Sequence, residues 1–387
     1  MEFDVAIVGG GPVGAALGIA LARGGLRVTV IESREPVLPT NEQWDARVYA
    51  VSPGSRDFIA GLHAWESIGA ERIAPIGAMQ VWGDDGVANI GFDALEAARD
   101  DLGCIVEAGR LQLALWDVLR NEPNVTLHCP ARCQSLAMQP SQARLTLTDG
   151  QEIEAALLVG ADGADSWVRN AAGLTANMKP YGQAGVVANF VTERSHQNIA
   201  RQWFRHDGVI AYLPLPGNRI SIVWSAQAPV AEELLALKEA EFCERVALAG
   251  NDVLGALKLI TPPASFPLRL VDVPHTVKPA IALLGDAAHV VHPLAGQGVN
   301  LGLRDVQALA DVLLTRGRHE ALGDLALLRR YERARREDWL ATKWVTDGLH
   351  SLFHPERSSL SRLRNMGLAL TNRMTGLKRH FMAHAVQ

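Results

Sequence analysis

Cysteine is scarce in this chain of 387 residues: Cys104, Cys129, Cys133 and Cys243 are the four present, and no two form a CxxC pair. That count excludes a disulfide scaffold and suits a reduced, cytoplasmic protein. A zinc site built on Cys129 and Cys133 lacks a second Cys/His pair nearby. No stretch approaches the ~18 consecutive apolar residues that a membrane-spanning helix needs. No basic region precedes the first apolar segment, so no export signal is expected. Net positive charge is lacking too: the formal value is −5, which argues against a general nucleic-acid binder. Neither a Ser-His-Asp arrangement nor paired carboxylates mark the chain, so its own side chains offer no obvious covalent or acid–base machinery. Acidic residues run out after Glu356, where Arg357, Arg362, Arg364, Arg373, Lys378 and Arg379 follow without an Asp or Glu.

What is present describes a globular protein, with 48% hydrophobic and 20% charged residues and length for two or three domains' worth of core. The run Phe3 to Val8 reads as a buried strand. Gly9, Gly11 and Gly14 follow as GxGxxG, with Pro12 and Val13 between, and then a helical run to Arg23. A second strand, Arg27 to Ile31, ends on Glu32. A lone GxGxxG is weak, but strand, glycines, helix and terminal acid together read as a dinucleotide fold. The first two glycines let backbone approach a pyrophosphate, the third lets helix lie close on strand, and Glu32 accepts from a ribose diol.

The same logic recurs twice. Leu157 to Gly160 reads as a strand that delivers Asp162, with Arg169 beyond it. Ala280 to Leu284 reads as a strand that delivers Asp286, followed by a loop of little bulk with Pro293, Gly296 and Gly298. From Val299 and Asn300 onward the spacing is helical, and a helix N-terminus favours negative charge. Three such joints suggest one large dinucleotide along a sheet edge.

Elsewhere, Ser52-Pro53 reads as a helix start, Ala78 to Trp82 as a strand, Arg110 to Trp116 as an amphipathic helix, and residues 125–148 as a meander of strands. Residues 180–275 change to strand-like runs, interrupted by a helix from about Ala231 to Ala249. Trp203, Tyr212 and Trp224 in this stretch are candidates for a pocket lining or a core. Arg47 stands among small and apolar residues and faces either a phosphate or solvent. Residues 325–387 look helical throughout, with Leu360, Leu363, Leu370, Met374, Leu377 and Phe381 on one face.

GxGxxG with Glu32, then Gly160-Ala161-Asp162-Gly163, then Gly285-Asp286, together resemble the FAD-dependent aromatic hydroxylases of the para-hydroxybenzoate hydroxylase superfamily. Residues 286–305, with HPLAGQGVNLGLRD inside, resemble the ubiquinone-biosynthesis ring hydroxylases of the UbiH/UbiF type. So do Tyr181-Gly182-Gln183, Leu213-Pro214-Leu215, Val223-Trp224 and Phe266-Pro267-Leu268. The resemblance covers nearly the whole chain. It implies an α/β fold: a Rossmann-like FAD-binding domain (residues 1–75, 105–175 and 276–330), an inserted antiparallel-sheet substrate domain (76–104 and 176–275) and C-terminal helices (331–387).

It further implies roles. Gly9, Gly11, Gly14 and Glu32 hold the ADP half of FAD, Arg110 meets the FAD phosphates, and Asp286 the ribityl or pyrophosphate region. Pro293 and the loop from Gly296 to Asn300 lie against the flavin ring. Asp162 belongs to a motif linked to FAD and NAD(P)H, and Arg47 matches a flavin-side arginine. In such enzymes NAD(P)H, here with NADPH favoured, reduces FAD, O2 adds at the flavin C4a as a hydroperoxide, and a hydroxyl passes to a phenolic ring. The cofactor carries the chemistry. His289 and His292 are candidates to relay a phenol proton or are structural. The expected substrate is a prenylated phenol on the ubiquinone route. The alternatives are a small soluble phenol or aromatic acid, for which Arg201, Arg205 and Arg219 are candidate ligands, and a non-catalytic flavoprotein of a biosynthetic complex. The basic segment 357–387 suggests peripheral contact with the inner face of a membrane or with such a complex.

Overall fold

The apolar run Phe3–Val8 forms a strand buried along almost its whole length. The computed structural model describes residues 2–37, 43–84, 88–139, 142–292 and 298–352, with side chains as far as 343. In it the first sheet runs Val277–Lys278, Ile281–Leu283, Glu152–Gly160, Phe3–Val8, Val28–Ile31, Val125–His128. From Ile281–Leu283 to Val125–His128 all neighbours are parallel. A parallel sheet must bury both faces. The helices that serve the two sheets are α1 (Pro12–Arg23), α2 (Pro53–Gly61), α3 (Ala108–Asn121), α4 (Trp167–Ala171), α5 (Ala228–Ala236), α6 (Glu239–Ala249), α7 (Gly298–Leu314) and α8 (Leu325–Leu352).

Strand alternation sends Val5 and Ile7 to one face, where they pack with Leu17 of α1, Leu115 and Trp116 of α3, and Leu303 of α7. Ala6 and Val8 go to the other, against Leu145 and Leu147 of a hairpin. That hairpin, Cys133–Gln139 with Gln142–Leu147, pairs antiparallel with Glu152–Gly160. The expected meander over 125–148 is therefore too long. Val125–His128 leaves it and pairs parallel with Val28–Ile31, because α3 carries the chain across the sheet before the strand begins.

The second sheet runs His289–Val290, Ala264–Asp272, Asn177–Thr192, Arg219–Gln227, Gly208–Leu215, Ile199–Arg205, Ala78–Trp82, Asn89–Asp93. It is mixed, not wholly antiparallel: Ile199–Arg205 and Ala78–Trp82 pair parallel. The expected single helix over 231–249 is two. Leu237 is extended, and Lys238 starts α6, its N–H donating to Glu241 at 3.1 Å. Trp203, Tyr212 and Trp224 face these helices, buried with Phe242 and Val246. The Tyr212 hydroxyl donates to the Val246 carbonyl, and Trp203 stacks on Trp82 at 5.0 Å. They are core, which corrects the pocket reading: alternation puts all three on the α5/α6 face.

A small third sheet, Val48–Val51 with Cys104–Glu107 and Ala74–Pro75, carries Tyr49 with Arg47 just before it. One turn links the two large sheets. Ile281–Leu283 ends in the first, Gly285–Ala287 turns, and His289–Val290 pairs with Ala264–Asp272 in the second. Among the described residues no helix is long and apolar enough to cross a membrane.

Candidate functional site

Four adjacent parallel strands end on the same edge of the first sheet, the edge where open α/β sheets bind ligands. Their ends carry Asp286, Asp162, Gly9 and Glu32, and all four border a cavity of about 620 Å³. Gly11, Pro12, Val13, Arg47, Gly298 and Val299 complete its predicted lining.

The glycines are required by contact distance. A Cβ on Gly14 would lie 1.9 Å from the Gly9 carbonyl oxygen, and one on Gly9, at φ +107°, 2.3 Å from that of Ala161. At Gly11 nothing among the described residues lies within 4 Å of an added Cβ, and Gly11 borders the cavity. α1 begins there with Pro12 in its first turn and no side-chain cap, which leaves backbone donors for an anion. Glu32 shapes the same corner. One oxygen accepts the Gly10 N–H at 2.6 Å, and the other accepts from Ser33 N–H at 2.7 Å and Arg34 N–H at 3.1 Å. Arg47 and Arg132 supply positive charge to the lining.

Asp162 borders the cavity while capping the next turn, accepting from the Ser166 hydroxyl at 2.5 Å and Val168 N–H at 3.0 Å. Burial raises its pKa, and those bonds oppose the rise. Arg169 is buried and donates to the Ala287 and Ala164 carbonyls at 3.0 and 2.9 Å, tying the Asp162 turn to the Asp286 turn. The Asp286 carboxylate opens on the cavity with protein walls around it. Those walls raise its pKa, and His289 and Arg47 pull it back.

Other expected positions lie elsewhere. Arg110 is not in the cavity lining but pairs with Glu107 at 3.2 Å, a carboxylate that Arg72 also binds. Asn300 is buried and ties α7 to the Val48–Val51 strand, accepting from Ser52 N–H at 2.9 Å and donating to the Ala50 carbonyl at 2.8 Å. Pro293 and Gly296 lie outside the described residues, as does segment 357–387. Arg201, Arg205 and Arg219 spend hydrogen bonds on His196, Asp207 and Pro216. Tyr49, Ser33, Gln112, Arg132 and Trp167 line the cavity without having been singled out. Tyr49 had a signal: it follows Arg47 by two residues, on the strand that begins at Val48.

Neither histidine lines the cavity. His292 Nε2 meets Gln183 Oε1 at 2.9 Å. His289 Nε2 meets Asp305 Oδ2 at 2.7 Å and stacks on Trp339. Asp305 is fully buried and also accepts from Gly285 N–H at 2.9 Å and Arg335 Nε at 2.6 Å. Burial would raise the Asp305 pKa, but His289 and Arg335 hold it below the ordinary 3.8. Burial would lower that of His289, but Asp305 lifts it above the ordinary 6.5. The His289 contribution to stability is thus full below 6.5 and is lost as pH rises through its raised folded value. The Asp305 contribution is full above 3.8 and is lost as pH falls through its lowered one. His289→Gln is therefore expected to flatten the decline in melting temperature as pH rises above 6.5. Thermal melts by circular dichroism check this, and an unchanged slope contradicts it.

A backbone cradle open at Gly11, an uncapped helix start, an acid at the second strand end and two arginines fit a dinucleotide. A family model described as "FAD binding domain" matches residues 2–343. The chain is 37% identical to 3-demethoxyubiquinol 3-hydroxylase of Escherichia coli, over 99% of this chain and 98% of that one. It is 38% identical to ubiquinone hydroxylase UbiL of Rhodospirillum rubrum, over 99% and 89%. In fold it is similar to p-nitrophenol 4-monooxygenase PnpA of Pseudomonas putida, at TM-score 0.80 and 19% identity, with 100% and 99% covered. With this match running through the cradle and both sheets, the chain belongs to the FAD binding domain family, as a flavin-dependent monooxygenase.

Proposed function

We propose that the chain hydroxylates the ring of a prenylated phenol, a ubiquinone precursor, consuming O2 and NAD(P)H, with NADPH the favoured reductant. The observation that carries this is similarity over nearly the full length of two quinone-precursor hydroxylases. When bound, FAD supplies the redox chemistry, taking hydride from NAD(P)H and activating O2.

The chain's own residues bind and orient. Gly9, Gly11, Gly14 and the start of α1, with Pro12 and Val13, receive the pyrophosphate, and Glu32 the ribose diol. Asp162, Asp286 and Arg47 hold the flavin half, and Gly298 and Val299 border the ring. In this reading residues 1–75, 105–175 and 276–330 bind cofactor, and 76–104 and 176–275 cover substrate. On the sheet face turned away from α5 and α6, Leu213 and Leu215 pack with Ala200, Val48 and Ala50, which seats the small sheet carrying Tyr49 against the second sheet. The basic segment 357–387 is proposed to meet an anionic membrane surface, where a prenylated substrate resides.

The test compares turnover of FAD-loaded protein on a prenylated phenol and on the same phenol without its tail, with anionic vesicles present. A kcat/KM at least roughly tenfold higher for the prenylated substrate is expected, the worth of a few buried CH2 groups. Equal or better turnover of the bare phenol favours a small soluble substrate instead.

A further inference from the structure

α8 carries four side chains at a spacing of four residues, Tyr331, Arg335, Trp339 and Lys343, which puts them on one helix face. Each engages residues 272–305, the stretch that contains the Asp286 turn. The Tyr331 hydroxyl donates to the Leu283 carbonyl at 2.9 Å, at the end of the strand that leads into the turn. Arg335 donates to Asp305, which in turn accepts the Gly285 N–H. Trp339 stacks on His289, just past the turn, and donates to Asp272 at 3.0 Å. Lys343 donates to the other oxygen of Asp272 at 2.6 Å, and Asp272 is the register partner of His289. Asp338 accepts from Arg335 and from Arg304 at 2.6 and 2.9 Å, which anchors the arginine in place.

The turn needs such support. Gly285 sits at φ +54°, and the strand before it and the strand after it belong to different sheets. Its N–H is spent on the Asp305 carboxylate, so the direction of the next residue, Asp286, depends on where Asp305 is held. None of the four α8 residues borders the cavity. They act on it through the turn and through α7, which carries Asp305 and opens on the cavity at Gly298 and Val299.

We propose that α8 is a strap that positions the Asp286 turn, with Arg335 its principal positioning residue and FAD retention its functional output. This rests on the assignment of Asp286 to the cofactor. A helix outside the site thereby sets the cofactor affinity of the site, as residues that orient primary ligands commonly do.

The experiment titrates FAD into the full-length apoprotein and follows quenching of flavin fluorescence and the absorbance of bound flavin. Arg335→Gln, Arg335→Lys, Asp286→Ala and Val246→Ala, a core truncation on the buried face of α6, are compared with wild type. Arg335→Gln is expected to raise the FAD Kd roughly tenfold or more, the size of one lost charged hydrogen bond. Arg335→Lys should recover part of the loss, and Val246→Ala should leave Kd unchanged although it lowers the melting temperature. A wild-type Kd in Arg335→Gln, or an equal loss in Val246→Ala, overturns the strap. If Arg335→Gln does not fold, Tyr331→Phe, which removes only the hydroxyl, must still raise Kd severalfold, and an unchanged value overturns it. Asp286→Ala with full FAD affinity refutes the role of Asp286 itself, while a loss there with none in Arg335→Gln refutes the strap alone.

Discussion

Replacing Gly298 by valine is expected to leave the chain folded and to remove most of its affinity for FAD. Gly298 opens α7 and borders the cavity. Among the described residues, a Cβ built there meets nothing within 4 Å. In the proposed reading that space is the cofactor's. The helix loses little, since valine is acceptable at a helix start and glycine is not a strong helix former. The bound state must instead fit a branched side chain into filled space, which costs about 1–3 kcal/mol. That corresponds to a loss of roughly tenfold to a hundredfold in FAD affinity. The contrast is Gly14, where the added carbon would lie 1.9 Å from backbone and the fold suffers first. Far-ultraviolet circular dichroism with an FAD titration separates the cases. Wild-type affinity in the valine variant would mean that Gly298 does not border the flavin.

Glu32→Ala is expected to weaken FAD binding by a comparable factor by a different route. The carboxylate is the proposed acceptor for the ribose diol, and a hydrogen bond to a charged group contributes about 1.5–3 kcal/mol. It also accepts the Gly10 N–H at 2.6 Å and so fixes the glycine turn beside α1. The variant loses both. Glu32→Gln retains one acceptor oxygen and is expected to fall between wild type and alanine. Isothermal titration of FAD into the apoprotein checks the order wild type, glutamine, alanine. A glutamine variant as weak as alanine would place the whole effect in charge rather than in geometry.

These two predictions draw on features that short-range chemistry made readable. Phe3–Val8 and Ala78–Trp82 are strands with the boundaries their apolar patterns suggest. Ser52 caps α2 as its place before Pro53 implies, accepting from Ser55 N–H. The three strand-to-acid joints, each recognisable from a strand, a glycine and a turn, meet at one cavity because their strands are parallel neighbours.

What was not readable depends on partners distant in the chain. The pairing of Arg110 with Glu107 and the bonds of the Asn300 amide to residues 50 and 52 cannot be read from the sequence. Trp203, Tyr212 and Trp224 stand on strands of the second sheet, and only the placement of α5 and α6 shows that their face is core. The α8 stripe is an amphipathic pattern that any packed helix shows. Its meaning comes from Asp272, His289 and Asp305 beneath it.

The central claim is that this cavity holds FAD for oxygen transfer to a prenylated phenol ring. The most direct test supplies FAD-loaded full-length protein with NADPH, a prenylated phenol and 18O2, and analyses the product by mass spectrometry. The account predicts one 18O atom in each hydroxylated ring, with NADPH consumed in step and no product without FAD. A hydroxylated product carrying oxygen from water, or NADPH oxidation that yields only hydrogen peroxide with every prenylated and bare phenol offered, would contradict it.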